Sequence, residues 1–244
     1  NGLKHYTLHG LNTSHRLEDM VAVIQRQAEL PPGESKRPVT LLLYGLPGTG
    51  KTQFVHYLGS ALKKDVTLRR SSDIQSKWVG ETEKNIDRAF LEARDANSIL
   101  FFDEADSFFY PRKRADHSWE ITATNEILSQ LDTFAGVAIF ATNEIDGLDY
   151  AALRRFRFKI EFKSLTPEGN IHFYDTLISP VIAKHGCAVD EGKERLSRIS
   201  NLTPGDFVVV RDQMLFMEPW NLSQELAMEL LEKESHHKRT MRRI

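Results

Sequence analysis

Cysteine is almost missing from this chain. Cys187 is the single one among 244 residues, so no internal disulfide can form, which fits a reducing compartment and a cytoplasmic protein. No partner motif surrounds Cys187, and it reads as a small apolar residue rather than a nucleophile. Long apolar runs are missing too. None approaches the roughly 20 residues of a membrane-spanning helix, and no secretory pattern opens the chain. Neither sign of charge dominates: 32 Lys and Arg stand against 34 Asp and Glu, a formal net charge of -2. That balance removes any whole-chain basic field and points away from nucleic acid as a partner. There are no internal repeats and no low-complexity tract. What is left has ordinary globular composition, long enough for one large domain or a domain with a small lid. The first residue is Asn1 rather than Met, as expected of a fragment.

What the chain does have is Gly45-Leu46-Pro47-Gly48-Thr49-Gly50-Lys51-Thr52. Every fixed position of the phosphate-binding pattern G-x-x-x-x-G-K-[ST] is filled. Val39 to Tyr44 before it is short, apolar and partly β-branched, as a buried strand is. Gln53 to Lys64 after it carries Phe54, Leu58, Ala61 and Leu62 on one helical face. Glycines let backbone N–H groups converge on anionic oxygens, and a helix N-terminus adds a favourable dipole. Gly45, Pro47, Gly48, Thr49, Gly50, Lys51, Thr52 and Gln53 are therefore the expected nucleotide-binding residues. Lys51 would reach the β- and γ-phosphates and the Thr52 hydroxyl would hold Mg²⁺.

The alternation continues downstream. Residues 16 to 30 form a helical pattern that Pro31-Pro32-Gly33 stops. Val66 to Leu68, Ser98 to Phe102 and Val137 to Ala141 read as further strands; Glu81 to Ala96 and Ser118 to Leu131 read as helices. Strands alternating with helices predict an α/β fold, a parallel sheet flanked by helices; the expected P-loop sheet is five-stranded, one strand more than the four located here. After Phe162 strands end. Pro167 to Lys184, Glu191 to Ile199, Pro204 to Met217 and Leu222 to Glu234 read as four helices of a small all-α lid. Thr203, Pro204 and Asp206 have the order of an N-cap, a first-turn proline and an acidic N3 residue. The expected organisation is a nucleotide-binding core over 1–165 and a lid over 166–244, ending in a basic, frayed tail.

Ile99 to Phe102 ends in Asp103-Glu104, the pattern of a Walker B strand. Asp103 would hold Mg²⁺, and Glu104 would orient and deprotonate the attacking water. The same residues spell Asp103-Glu104-Ala105-Asp106, which raises an RNA helicase. That class needs two consecutive RecA-like domains and a Ser-Ala-Thr motif, and this chain has length for one domain and no such motif.

The remaining motifs carry a resemblance. Ser76-Lys77-Trp78-Val79-Gly80-Glu81-Thr82-Glu83-Lys84-Asn85-Ile86 is similar to the first pore loop and following helix of the katanin, spastin and ESCRT-disassembly ATPases. Ala141-Thr142-Asn143 resembles sensor 1. Leu148 to Phe158, with Arg154, Arg155 and Arg157, resembles the arginine-bearing end of the second region of homology. Together they look like the AAA clade of the AAA+ superfamily over nearly the whole chain. The resemblance implies an ATPase using ATP and Mg²⁺ in a homo-oligomeric, hexameric ring. Asn143 would contact the γ-phosphate and the attacking water. An arginine finger would act in trans on the next subunit's ATP, with Arg154 and Arg155 favoured. Lys77, Trp78 and Val79 would grip a polypeptide substrate, Trp78 through its large flat ring. Arg157 follows Phe156 directly, without the glycine the family often has, so the choice among the three arginines stays open. The sensor 2 arginine is missing at Pro204-Gly205-Asp206; Arg211 lies two turns on and is either a nucleotide contact or a surface ion pair. The segment from Leu11 to Ser14 is the expected source of part of the adenine pocket. Two other readings are compatible with these motifs: a nucleotide-switched scaffold that threads nothing, and a DNA-associated AAA+ protein.

Overall fold

The computed structural model describes residues 7–28, 38–76, 80–109, 118–184 and 193–241. Cys187, the Pro31-Pro32-Gly33 stop and the pore-loop residues Lys77, Trp78 and Val79 lie outside these. The chain divides into two compact units, one made of Ser14–Gly45 and Lys51–Glu161, the other of the described parts of Asn1–Thr13, Leu46–Gly50 and Phe162–Ile244.

In chain order the sheet region comprises α1 (Leu17–Ala28), β1 (Val39–Gly45), α2 (Lys51–Leu62), β2 (Val66–Arg70), α3 (Ser71–Ile74), α4 (Glu81–Asp95) and β3 (Ile99–Asp103). It continues with α5 (Ser118–Thr133), β4 (Val137–Thr142), α6 (Tyr150–Leu153) and β5 (Phe158–Phe162). The five strands lie in the order β2-β3-β4-β1-β5, the parallel sheet flanked by helices that the alternation predicts. Every residue of β4 is buried, as expected for a strand covered on both faces. The core is rich in phenylalanine: Phe102 stacks on Phe140 with centroids 4.6 Å apart, and Phe156 meets Phe140 edge-on at 5.3 Å. The order matters more than the count. After β1 the chain crosses to the far edge at β2, then β3 and β4 fill inward until β4 lies against β1. The reversal at β1 makes a switch point, where open α/β sheets bind ligands beyond the strands' carboxyl ends.

The second unit is helical: α7 (Pro167–Phe173), α8 (Ser179–Ala183), α9 (Lys193–Arg198), α10 (Pro204–Leu215) and α11 (Gln224–Met241). Its own apolar cluster includes Phe173, Tyr174, Leu196, Phe207, Val210 and Leu231, with Leu11 packed against it. Thr166 caps α7 by accepting the Gly169 N–H at 3.2 Å. At α10 the Thr203 N–H donates to Asp206 Oδ2 at 2.7 Å, the reciprocal cap that Thr203, Pro204 and Asp206 predict.

Periodicity does not locate β5, α3 and α6, and two further details differ from the sequence reading. The helix expected over 167–184 is interrupted by a π-helical turn, Tyr174–Ile178. Pro180 explains this: it has no N–H for the carbonyl four residues back, and its ring crowds that carbonyl, so the helix widens. The basic tail is helical through Met241 rather than frayed from His236. Lys238 Nζ donates to Asp206 Oδ2 at 2.5 Å and to Thr203 Oγ1 at 2.9 Å, which ties the last turns down.

Candidate nucleotide site

The parallel register brings the polar strand ends to one edge of the sheet. Tyr44 pairs with Thr142, and Phe102 with Phe140. Gly45, Asp103 and Asn143 therefore all follow at the carboxyl ends of three adjacent strands. Lys51, the first residue of α2, is 8% exposed. Its Nζ donates to the Gly45 carbonyl at 2.6 Å and to Asn143 Oδ1 at 2.9 Å. Burial pushes the Lys51 pKa down to about 8, against the opposing pull of Asp103 and Asp106. Phosphate oxygens would add negative charge that favours the charged form of this buried ammonium. Beside it the Thr52 hydroxyl donates to Asp103 Oδ2 at 3.1 Å. Gln53 is exposed on the first turn of α2.

A hydroxyl beside a carboxylate is a hard-oxygen pair that fits Mg²⁺, which takes few protein ligands and fills its shell with water and phosphate. No group of three or more His, Cys, Asp or Glu able to hold a metal occurs among the described residues, so this pair is the donor set to consider. Glu104 is exposed and sits in the left-handed region, φ 56° and ψ 46°. That conformation is costly for a residue with a Cβ, and such outliers gather at functional sites. It is held by the Ser71 hydroxyl, which donates to the Glu104 carbonyl at 3.0 Å.

Sequence reasoning passed over two residues here, Asp106 and Thr142. Thr142 Oγ1 donates to Asp106 Oδ1. Burial raises the Asp106 carboxyl above the usual range; the Asn143 N–H opposes this and the Glu144 carboxylate adds to it. The signal was present as the fourth residue of Asp103-Glu104-Ala105-Asp106, but nothing local says what that residue faces.

The arginines are elsewhere. Thr40 Oγ1 donates to the Arg155 carbonyl at 2.8 Å, and the Arg157 N–H donates to Thr40 Oγ1 at 3.0 Å. Thr40 is near the start of β1 and Gly45 at its end, about 16 Å apart at strand rise, further than an arginine side chain reaches. Arg155 pairs with Asp132 at 3.2 Å. Arg154 and Arg157 are exposed and have no side-chain partner among the described residues.

In the helical unit, the phosphate loop meets the start of α10. The Gly205 N–H donates to the Gly48 carbonyl at 2.8 Å. A Cβ on Gly205 would come within 2.9 Å of Gly48 Cα. Gly48 has φ +75°, and a Cβ there would meet Thr203 Oγ1 at 3.0 Å. Glycine is required at both positions for the backbones to approach. Thr49 Oγ1 closes the loop on the Leu46 carbonyl at 2.7 Å. Arg211 takes the surface reading, forking onto Asp212 Oδ1 at 2.7 and 2.9 Å. In the proposed adenine segment, Asn12 Nδ2 donates to the Ser164 carbonyl at 2.7 Å and the Asn12 carbonyl accepts the Lys163 N–H at 2.8 Å.

With this geometry in place, the comparisons decide the family. The profile of the ATPase family associated with various cellular activities (AAA) matches residues 41–164. The chain belongs to the AAA family of ATPases. Among relatives, this AAA ATPase is 30% identical to spastin of Drosophila simulans over 212 residues, 83% of this chain and 27% of that protein. It is 32% identical to fidgetin-like protein 1 of Caenorhabditis elegans over 196 residues, 78% of this chain and 32% of that protein. The chain thus spans about a quarter to a third of the length of the curated relatives it matches. A chain in the structure of the E. coli MS115-1 HORMA:CdnC:Trip13 complex has the same fold, with TM-score 0.72 and 18% identity over 93% of this chain and 97% of that one. No described helix is long and apolar enough to cross a membrane.

Proposed function

We propose that this AAA ATPase hydrolyses ATP with Mg²⁺ at the interfaces of a homo-oligomeric, hexameric ring, and uses the cycle to move or take apart a polypeptide substrate. The observation that carries the hydrolase reading is the meeting of Lys51, Asn143, Thr52 and Asp103 at the ends of β1, β4 and β3. Lys51 neutralises the β- and γ-phosphates, and Asn143 offers its amide to the γ-phosphate and the attacking water. Glu104 orients that water and takes its proton. Thr52 and Asp103 would hold Mg²⁺. The metal adds charge neutralisation at the phosphate oxygens.

The trans finger rests on the distance along β1. Arginines fixed at the start of that strand are out of reach of phosphates at its end, so a neighbouring copy is the natural recipient. Arg154 is the foremost candidate, because Arg155 is engaged by Asp132. The substrate-gripping role of Trp78 rests on the sequence resemblance.

The test is ATPase rate against protein concentration, with Glu104→Gln and Arg154→Ala alongside. Specific activity should climb with concentration. Glu104→Gln should lower it by about 10²–10⁴, and Arg154→Ala by about 10³–10⁵, with ATP binding kept in both. A flat rate that neither substitution changes would favour the nucleotide-switched scaffold instead.

A further inference from the structure

The carboxylate of Asp106 has no part in the chemistry above, yet it is aimed at the residues that hold Asn143. The left-handed turn at Glu104 leads into a 3₁₀ turn, Ala105–Phe108, which directs Asp106 back toward the end of β4. There its Oδ1 accepts the Thr142 hydroxyl, and the Asn143 backbone N–H faces the same carboxylate. Thr142 is 1% exposed. Its Oγ1 also accepts the Glu144 N–H at 3.0 Å. The main chain on both sides of Asn143 is therefore pinned to one carboxylate and one hydroxyl. That leaves the Asn143 side chain to swing about its own torsions, and in this structure its Oδ1 rests 2.9 Å from Lys51 Nζ.

We propose that Asp106, acting through Thr142 and the Asn143 backbone, is a positioning residue that sets the Asn143 amide for the γ-phosphate. A hydrogen bond to a charged oxygen is strongly directional, so a strand end free to shift loses it. ADP has no γ-phosphate and is indifferent to this arrangement. The pair thus controls how far the site prefers ATP over ADP. This rests on the reading of Asn143 as a γ-phosphate contact, and the test separates the two.

The experiment measures dissociation constants for ATP and ADP by titration in the Glu104→Gln chain, where turnover is suppressed. Added to it are Asn143→Ala, Asp106→Asn, Thr142→Val, Thr142→Ser, and the pair Asp106→Asn with Asn143→Ala. Asn143→Ala, Asp106→Asn and Thr142→Val should each lower the ATP-over-ADP preference by about ten-fold. Thr142→Ser, which keeps the hydroxyl, should retain it, and the double variant should be no worse than Asn143→Ala alone. A merely structural role would weaken both nucleotides equally and leave the ratio unchanged, which overturns the proposal. So does an effect of Asp106→Asn that adds to that of Asn143→Ala. If Asn143→Ala itself leaves the ratio unchanged, the sensor reading fails and this inference falls with it. Should Asp106→Asn not fold, the contrast of Thr142→Val with Thr142→Ser decides alone.

Discussion

The sheet unit and the helical unit bury polar atoms differently. In the sheet unit Lys51, Thr40 and Thr142 are nearly inaccessible and each is hydrogen-bonded within it. Among the described residues, Asn170 Oδ1, His172 Nε2, Tyr174 Oη and Ser179 Oγ of the helical unit are buried without a protein partner, and Gln27 Oε1 is the one such atom of the sheet unit. The difference is one of scaffolding. Parallel strands share a hydrogen-bond ladder that fixes the heights of neighbouring residues, so polar groups at their ends meet partners at set positions. Helices packed side to side have no such ladder, and the π turn at Tyr174–Ile178 displaces two of the four unpaired groups, Tyr174 and Ser179 at its boundary. Each unpaired buried group costs about 1–3 kcal/mol. The helical unit is therefore the part expected to open first in hydrogen exchange.

The largest effect that would sharpen this contrast is Phe140→Ala. The ring lies among Phe102, Phe109 and Phe156, and its loss should cost about 3–5 kcal/mol in urea unfolding. A cost near 1 kcal/mol would mean that the sheet core is not the rigid part. Next comes Lys238→Met in the helical unit, which strands Asp206, itself 5% exposed. With Lys238 partly solvated, we expect a loss of about 1–3 kcal/mol, smaller when Asp206→Asn is added, read from the double-mutant cycle.

The third is a pH effect on the sheet unit. The folded Lys51 pKa, about 8, lies below its ordinary 10.5. Below pH 8 the amine is charged in both states and the folded state bears the full desolvation cost; between about 8 and 10.5 the unfolded state binds more protons, and stability rises with pH. Lys51→Met, nucleotide-free, should be more stable than the parent by up to roughly 2 kcal/mol at pH 7. That gap should close by pH 10.5 in chemical denaturation. A gap independent of pH would mean that the lysine is not desolvated. The smallest change is Tyr174→Phe, which removes an unpaired hydroxyl and should raise stability by about 0.5–1 kcal/mol; a lower melting temperature would show that the hydroxyl has a partner after all.

Much of the fold was readable before any coordinates. Strands β1 to β4 and helices α1, α2, α4 and α5 stand within a few residues of where apolar periodicity sets them, whereas β5, α3 and α6 were not located by it. The cap at Thr203, Pro204 and Asp206 was explicit because capping is a matter of three or four adjacent residues. The π turn was missed although Pro180 announces a fault, because periodicity alone runs through it. The helical tail was missed because its stability comes from Lys238 reaching Asp206, a contact thirty-two residues away that no local pattern displays.

The site divides along the same line. The sequence alone determined the phosphate loop, the acidic end of β3 and membership of an α/β class, since these depend on glycine conformation, strand-to-helix spacing and local charge. Only the tertiary structure decided that β4 lies against β1. That neighbourhood brings Asn143 to Lys51 across 92 residues; the pairing of β3 with β4 turns Asp106 toward Thr142, and Thr40 holds Arg155 at the opposite end of β1 from Gly45. Strand order is set by which faces pack together in the whole sheet, and that is a property of all five strands at once rather than of any one.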